Sequence, residues 1–231
     1  MGYQRFLVFV SLKAFLTCLS IVECTQPQVG FTIEAYVIVD SVLNRHIKEA
    51  GNTVQMYLLQ LSRQLNFILK QLPRPGSLVI TGFHATDARM DPYRIPVDGS
   101  DLVSTKVSSE AAYYTYITNI NLVADVVLVF IGRTMYGYVD WRQVIVNGIT
   151  AIKSACSRRN VVVISGNRDF KLVVSTVAHE LGHALGAVHD GVDTSKHCSA
   201  SERHLMAPSL GFNRMLTFSI CSKKDIATFL S

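Results

Sequence analysis

The sequence predicts an α/β domain built on a mostly parallel sheet. Three observations lead there. Short runs rich in β-branched and aromatic residues recur along the chain, each the length of one buried strand. Segments with helical apolar spacing lie between them. Strands that alternate with helices favour parallel pairing, because each helix carries the chain back across the sheet.

Taken in order, Phe31 to Asp40 (FTIEAYVIVD) reads as a core strand. From Asn52 to Leu72 the apolar residues Val54, Leu58, Leu61, Leu65, Ile68 and Leu72 step by four and three, which predicts an amphipathic helix. Pro73 and Pro75-Gly76 end it. Ser77 to Gly82 reads as a second strand and 86–107 as a long polar loop. A helix is expected over Ser108 to Ile120, and a fully buried strand over Ala124 to Gly132. Val144 to Ser154 is a weaker strand suited to an edge, and Asn160 to Ser165 is another buried strand. Lys171 to Leu185 is a strong helix; after Gly186 no regular pattern holds until a short helix near Lys224 to Leu230. No internal repeat or low-complexity linker divides the chain.

At 231 residues with 49% apolar and 17% charged residues, the chain can build one ordinary core and is not intrinsically disordered. Five cysteines are too few for a disulfide-knot miniprotein. The net charge is +5, but the basic residues are scattered, as a solvated surface and not a nucleic-acid stripe would have them. Residues 1–24 carry a positive residue, Arg5, then an apolar stretch broken once by Lys13, then small residues, which is the pattern of a secretory signal peptide. The rival reading, an uncleaved anchor, is disfavoured by the lysine and the shortness of the run. Residues 25–231 are then the expected mature domain. Cleavage after Cys24 would leave Cys156, Cys198 and Cys221, an odd count; cleavage after Ser20 would keep Cys24 and make it even. No Asn-x-Ser/Thr sequon is present.

The chemistry concentrates in residues 179–190, HELGHALGAVHD. His179 and His183 are four apart on a helix, so both imidazoles leave one face, a turn apart. That spacing suits two nitrogens on one Zn²⁺. Glu180 sits between the two histidines in sequence and points beside the metal. Gly186 can take a left-handed conformation, end the helix and turn the chain so that His189 returns as a third ligand. Three histidines leave a fourth position for water, the mark of a catalytic zinc site. In a random chain of this composition the full pattern would arise with a chance on the order of 10⁻⁵, so coincidental histidines are a poor explanation.

HExxHxxGxxHD resembles the metzincin zinc motif, and Asp190 after the third histidine resembles the reprolysin (adamalysin/ADAM-type) branch. The segment Arg203-His204-Leu205-Met206-Ala207-Pro208 stands where the family carries its methionine turn, and FSICSKKDIATFL resembles the closing segment of reprolysin catalytic domains. The likeness covers about residues 31–231. It implies a metzincin-type two-lobed domain: a mixed, mostly parallel twisted sheet with one antiparallel edge strand, an active-site helix, and a small irregular C-terminal lobe around Met206. It further implies a secreted, monomeric zinc-dependent endopeptidase in which a zinc-activated water, with Glu180 as general base, hydrolyses extended protein or peptide substrates, with no nucleic acid and no stable membrane association. The narrower likeness is to tick salivary or arachnid venom metalloproteases.

An extended peptide would add antiparallel to the edge strand, for which Gly148 to Ala155 is the candidate, and residues 206–212 would wall an apolar pocket. By the same resemblance, Cys156 and Cys221 match half-cystines that pair in relatives, leaving Cys198 without a counterpart. Glu34 and Asp125 match two ligands of a structural Ca²⁺ in relatives, but Lys224 stands where an asparagine is usual, and an ammonium cannot ligate calcium. By the same resemblance no propeptide, with the thiol that silences related zymogens, is expected between the signal and Phe31. Outside the motif, His46, His84, His197 and His204 read as surface or loop histidines, the single Trp141 as packing, and Tyr113, Tyr114 and Tyr116 as helix packing. The rival function is a non-catalytic decoy on the same scaffold; the intact Glu180 and all three histidines count against it.

Overall fold

A computed structural model describes residues 30–94, 101–166, 169–208 and 215–231. The expected signal peptide and residues 209–212 of the expected pocket wall lie outside these. The main sheet has five strands: β1 (Phe31–Val39), β2 (Gly76–Ala85), β4 (Val126–Ile131), β8 (Val161–Ser165) and β7 (Gly148–Thr150), in the order β2-β1-β4-β8-β7. All pairings are parallel except β7 with β8, where Gly148 opposes Ile164 and Thr150 opposes Val162. The expected mixed sheet with one antiparallel edge strand is therefore present.

Helices α2 (Val54–Leu69) and α4 (Phe170–Ala184) belong to one core with the β1 side chains Ile33, Ala35, Val37 and Val39. α3 (Val107–Ile117) closes a second core with Ile38, Val127, Val129 and Val163. Burial on both faces explains why β4 and β8 are continuous apolar runs and do not alternate. Thr53 caps α2 through its side chain on the Met56 amide, and Asp169 caps α4 on Lys171 and Leu172.

Two features depart from the sequence reading. The first is α1 (Ser41–Glu49), which begins where a strand was expected to end. Asp40 is its N-cap. The carboxylate accepts from the Leu43 and Gly132 amides and from the Tyr93 hydroxyl, with Arg133 3.7 Å away, so it ties α1 to the end of β4. The second is a separate three-stranded sheet, β3 (Leu102–Ser104), β5 (Thr134–Val139) and β6 (Arg142–Val146), in the order β3-β5-β6. The expected strand over 144–154 is thus two strands, with Asn147 at the switch between sheets. The two-residue turn Asp140-Trp141 joins β5 to β6 with both residues at positive φ. Trp141, expected to pack, is instead 97% exposed.

The expected Cys156–Cys221 bridge is corrected. Cys198 is bonded to Cys221, with Cα atoms 6.1 Å apart. The segment after α4 brings Cys198 to Cys221 in the first turn of α5 (Ile220–Phe229), whereas Cys156 is exposed beside Asp125. Its thiol is free and donates to Asp125 Oδ1 at 3.3 Å. Burial, then the Asp125 carboxylate, push that thiol's pKa up, so it stays protonated. The other Asp125 oxygen accepts from the Glu34 amide at 2.9 Å, while Lys224 is an exposed residue of α5.

Candidate metal centre

α4 is buried from Val173 to Ala184, because the sheet covers one side and the C-terminal segment the other. It ends in a Schellman arrangement. Gly186, at φ +97°, donates to the His183 carbonyl, and Ala187 donates to Gly182. A side chain at that φ would be strained, so the glycine permits the sharp exit that the sequence implied.

The turn returns His189 to the helix. Its Nε2 lies 3.1 Å from His183 Nε2 and 3.2 Å from His179 Nε2. Nitrogens about 2.0–2.1 Å from a shared tetrahedral ion would stand about 3.3–3.4 Å apart, close to what is found. The other ring nitrogens fix the tautomers. His179 Nδ1 donates to the Leu205 carbonyl at 2.6 Å, and His183 Nδ1 to the Ala187 carbonyl at 2.8 Å. Each Nε2 is left with its lone pair toward the common point. Among the described residues this is the one group of three His, Cys, Asp or Glu side chains so gathered. The donor set fits zinc.

The resemblance named the three histidines, Asp190 and Met206, but not the contacts through which the last two hold the centre. Leu205 and Met206 are fully buried, and the Met206 sulfur lies against Gly182, where an added Cβ would come within 2.6 Å of it. Gly182, inside the motif, is therefore the space into which Met206 packs. Asp190 is buried, accepts from Ser219 Oγ at 2.6 Å and Ser222 Oγ at 3.2 Å, and donates its amide to the Met206 carbonyl. Ser219 also caps α5 on the Ser222 amide. Asp190 thus locks the third histidine's loop to both the methionine turn and α5.

The three histidines and Glu180 line a cleft of about 590 Å³ whose opposite wall is residues 144–150, with Pro208 at its end. The expected edge strand lies there, shorter than expected, as β7. Gly148 faces Glu180 closely. A Cβ on it would lie 2.7 Å from Glu180 Cγ and 2.8 Å from both Glu180 Oε1 and Thr176 Cγ2. Nothing in the sequence singled out Gly148; its role appears only once the strand is laid beside α4. His204 is not a free loop histidine: it contacts Thr217 Oγ1 at 3.1 Å and Glu202 at 3.4 Å. His84 lies between Tyr36 and Tyr114, remote from the cleft lining, and burial lowers its pKa.

The model of the Reprolysin (M12B) family of zinc metalloproteases matches residues 32–231. The chain belongs to this family. Catalytic zinc is the family's cofactor, and the histidine triad supplies a ligand set for it. The chain is 40% identical over 88 residues to the zinc metalloproteinase-disintegrin-like brevilysin H2a of Gloydius brevicauda, which covers 36% of this chain and 20% of that protein. It is 39% identical over 87 residues to the snake venom metalloproteinase acutolysin-C of Deinagkistrodon acutus, again 36% and 20%. To human "A disintegrin and metalloproteinase with thrombospondin motifs 16" it is 35% identical over 85 residues, 36% of this chain and 7% of that one. The matches therefore span a fifth or less of these curated relatives. None of the three is a tick or arachnid protein, so the narrower likeness is not shown by them.

Proposed function

We propose that this chain is a secreted zinc-dependent endopeptidase acting on peptide bonds of extracellular proteins, with residues 1–24 as its signal peptide and 25–231 as its catalytic domain. The observation that carries the reading is the convergence of three Nε2 atoms, those of His179 and His183 tautomer-fixed, beside Glu180 in a cleft walled by an open sheet edge. His179, His183 and His189 hold the metal. Bound there, zinc supplies Lewis acidity for the scissile carbonyl and lowers the pKa of a water toward about 7. Glu180, 5% exposed and flanked by Gly148, takes a proton from the attacking water as the C–O bond forms and passes it to the departing amine as the C–N bond breaks. β7 offers main-chain hydrogen bonds to an extended substrate, which orients any sequence without reading its side chains. Met206 acts from beneath as packing under the histidines. Among the described residues no helix is long and apolar enough to cross a membrane.

The test is metal analysis with cleavage of a denatured protein, with and without a chelator, beside Glu180→Ala. Expected are stoichiometric zinc, chelator-sensitive cleavage, and a kcat loss of about 10²–10⁴-fold in Glu180→Ala with zinc retained. Stoichiometric zinc without chelator-sensitive cleavage would overturn the reading in favour of a non-catalytic decoy.

A further inference from the structure

The β5–β6 hairpin has the wrong outer face for a sheet that simply meets water. Side chains alternate along a strand, so Tyr136 and Tyr138 share a face, their rings 5.9 Å apart. Ile145 stands directly opposite Tyr136 on β6. The inner face, Met135 and Gly137, is buried against the second core. An antiparallel sheet with one solvated face is ordinarily polar there. Here Tyr138 is 66% and Ile145 58% exposed, and Trp141 at the tip is 97% exposed. Trp141 also sits at φ +64°, a conformation that asparagine or glycine adopts far more readily than a bulky side chain. A large apolar residue held in an unfavourable conformation and left 97% exposed among the described residues points to a role in contact and not in folding.

The patch is continuous with the cleft. Ile145 lines the cleft beside Glu180 and the histidines, and it also belongs to the exposed face. β6 lies at the end of the order β3-β5-β6, so its outer edge has no partner strand among the described residues, and the chain runs from it directly into β7. Backbone groups for pairing and an aromatic surface thus adjoin the cleft of the candidate metal centre through β6.

We propose that the outer face of this hairpin, Tyr136, Tyr138, Trp141 and Ile145, is an extended docking surface for polypeptide substrates, engaging an extended segment beyond the scissile region through apolar or aromatic side chains. The proposal rests on the endopeptidase reading. Exposed aromatics at the end of a groove are the residue types that carry interface energy, and β6 supplies main-chain pairing as β7 does nearer the metal.

Trp141 is the chain's single tryptophan, so it reports on its own surroundings. In the zinc-loaded Glu180→Gln protein, a denatured, alkylated protein substrate should shift its fluorescence to the blue, whereas an octapeptide that fills only the cleft should not. In the active protein, the double variant Trp141→Ser/Tyr138→Ser should raise KM for the long substrate about tenfold with kcat unchanged, and leave octapeptide cleavage within about twofold. Both side chains are exposed, so the variant tests contact and not folding. Equal loss on both substrates, or no loss on either, would overturn the proposal. So would a blue shift with phosphatidylcholine/phosphatidylserine vesicles but none with polypeptide, which would assign the face to a lipid surface. If the unmodified protein cleaves neither substrate, the endopeptidase reading itself fails, a result distinct from these.

Discussion

Replacing Gly148 with alanine adds one methyl group where β7 meets the general base. Built on the backbone, that Cβ would lie 2.7 Å from Glu180 Cγ and 2.8 Å from Oε1, against ordinary contacts that begin near 3.4 Å. Thr176 Cγ2, one turn earlier on α4, is equally close at 2.8 Å, so the methyl meets two side chains of the helix at once. The Glu180 side chain, freer to shift than a strand hydrogen-bonded to β8, must move by about 0.7 Å. A displacement of about 1 Å at a reacting group can cost about 100-fold in rate, so kcat should fall about 10- to 100-fold. Overpacking should also cost about 1–3 kcal/mol of stability. The backbone groups of β7 that would pair with substrate are unchanged, and the three histidines lie outside the clash, so KM and zinc content should be nearly unaffected. The assay is kcat and KM on a fluorogenic peptide at saturating zinc, with metal content and urea unfolding measured on the same preparation. Full kcat in Gly148→Ala would refute the assignment of Gly148 as a positioning residue. Zinc lost in step with kcat would instead mean that the centre collapsed.

Cys198→Ser opens a bridge across a sequence separation of 23 and should cost about 3 kcal/mol in chemical denaturation, whereas Cys156→Ser should change stability by less than about 0.5 kcal/mol; the reverse order would restore the pairing implied by family resemblance. His84, packed between Tyr36 and Tyr114, has its folded pKa lowered from the ordinary 6.5 by burial. The unfolded chain therefore binds the proton first, and stability should fall as pH drops from about 6.5 through the folded value. His84→Gln should flatten that slope in pH-dependent unfolding, and an unchanged slope would contradict the burial argument.

The metal centre was legible because its chemistry is local. His179 and His183 share a helix face by periodicity alone, and Gly186 is needed wherever a chain must turn left-handed to bring His189 back. The parts that hold the centre were not legible, because they arrive from elsewhere in the chain. The Leu205 carbonyl that orients His179 is 26 residues away in sequence, and the Ser219 hydroxyl that holds Asp190 is 29 away. Gly148 and Gly182 carry no side chain to suggest a role; each matters for the neighbour it admits. α1 was missed because Asp40 follows a strand without a break, and only its hydrogen bonds to Leu43 and Gly132 show it to be a helix cap. The β5–β6 hairpin was missed because Asp140-Trp141 lacks the Asn-Gly signal that such turns usually carry. The disulfide was misassigned for a related reason. Resemblance supplied a partner for Cys221, while pairing depends on which thiol the chain brings within reach, and that is Cys198.

X-ray absorption at the zinc edge of the purified chain tests the central claim most directly. Three imidazole nitrogens and one further light atom at about 2.0–2.1 Å, with that shell lost in His189→Ala, is the expected result. A sulfur shell near 2.3 Å, or no zinc retained at all, would contradict it.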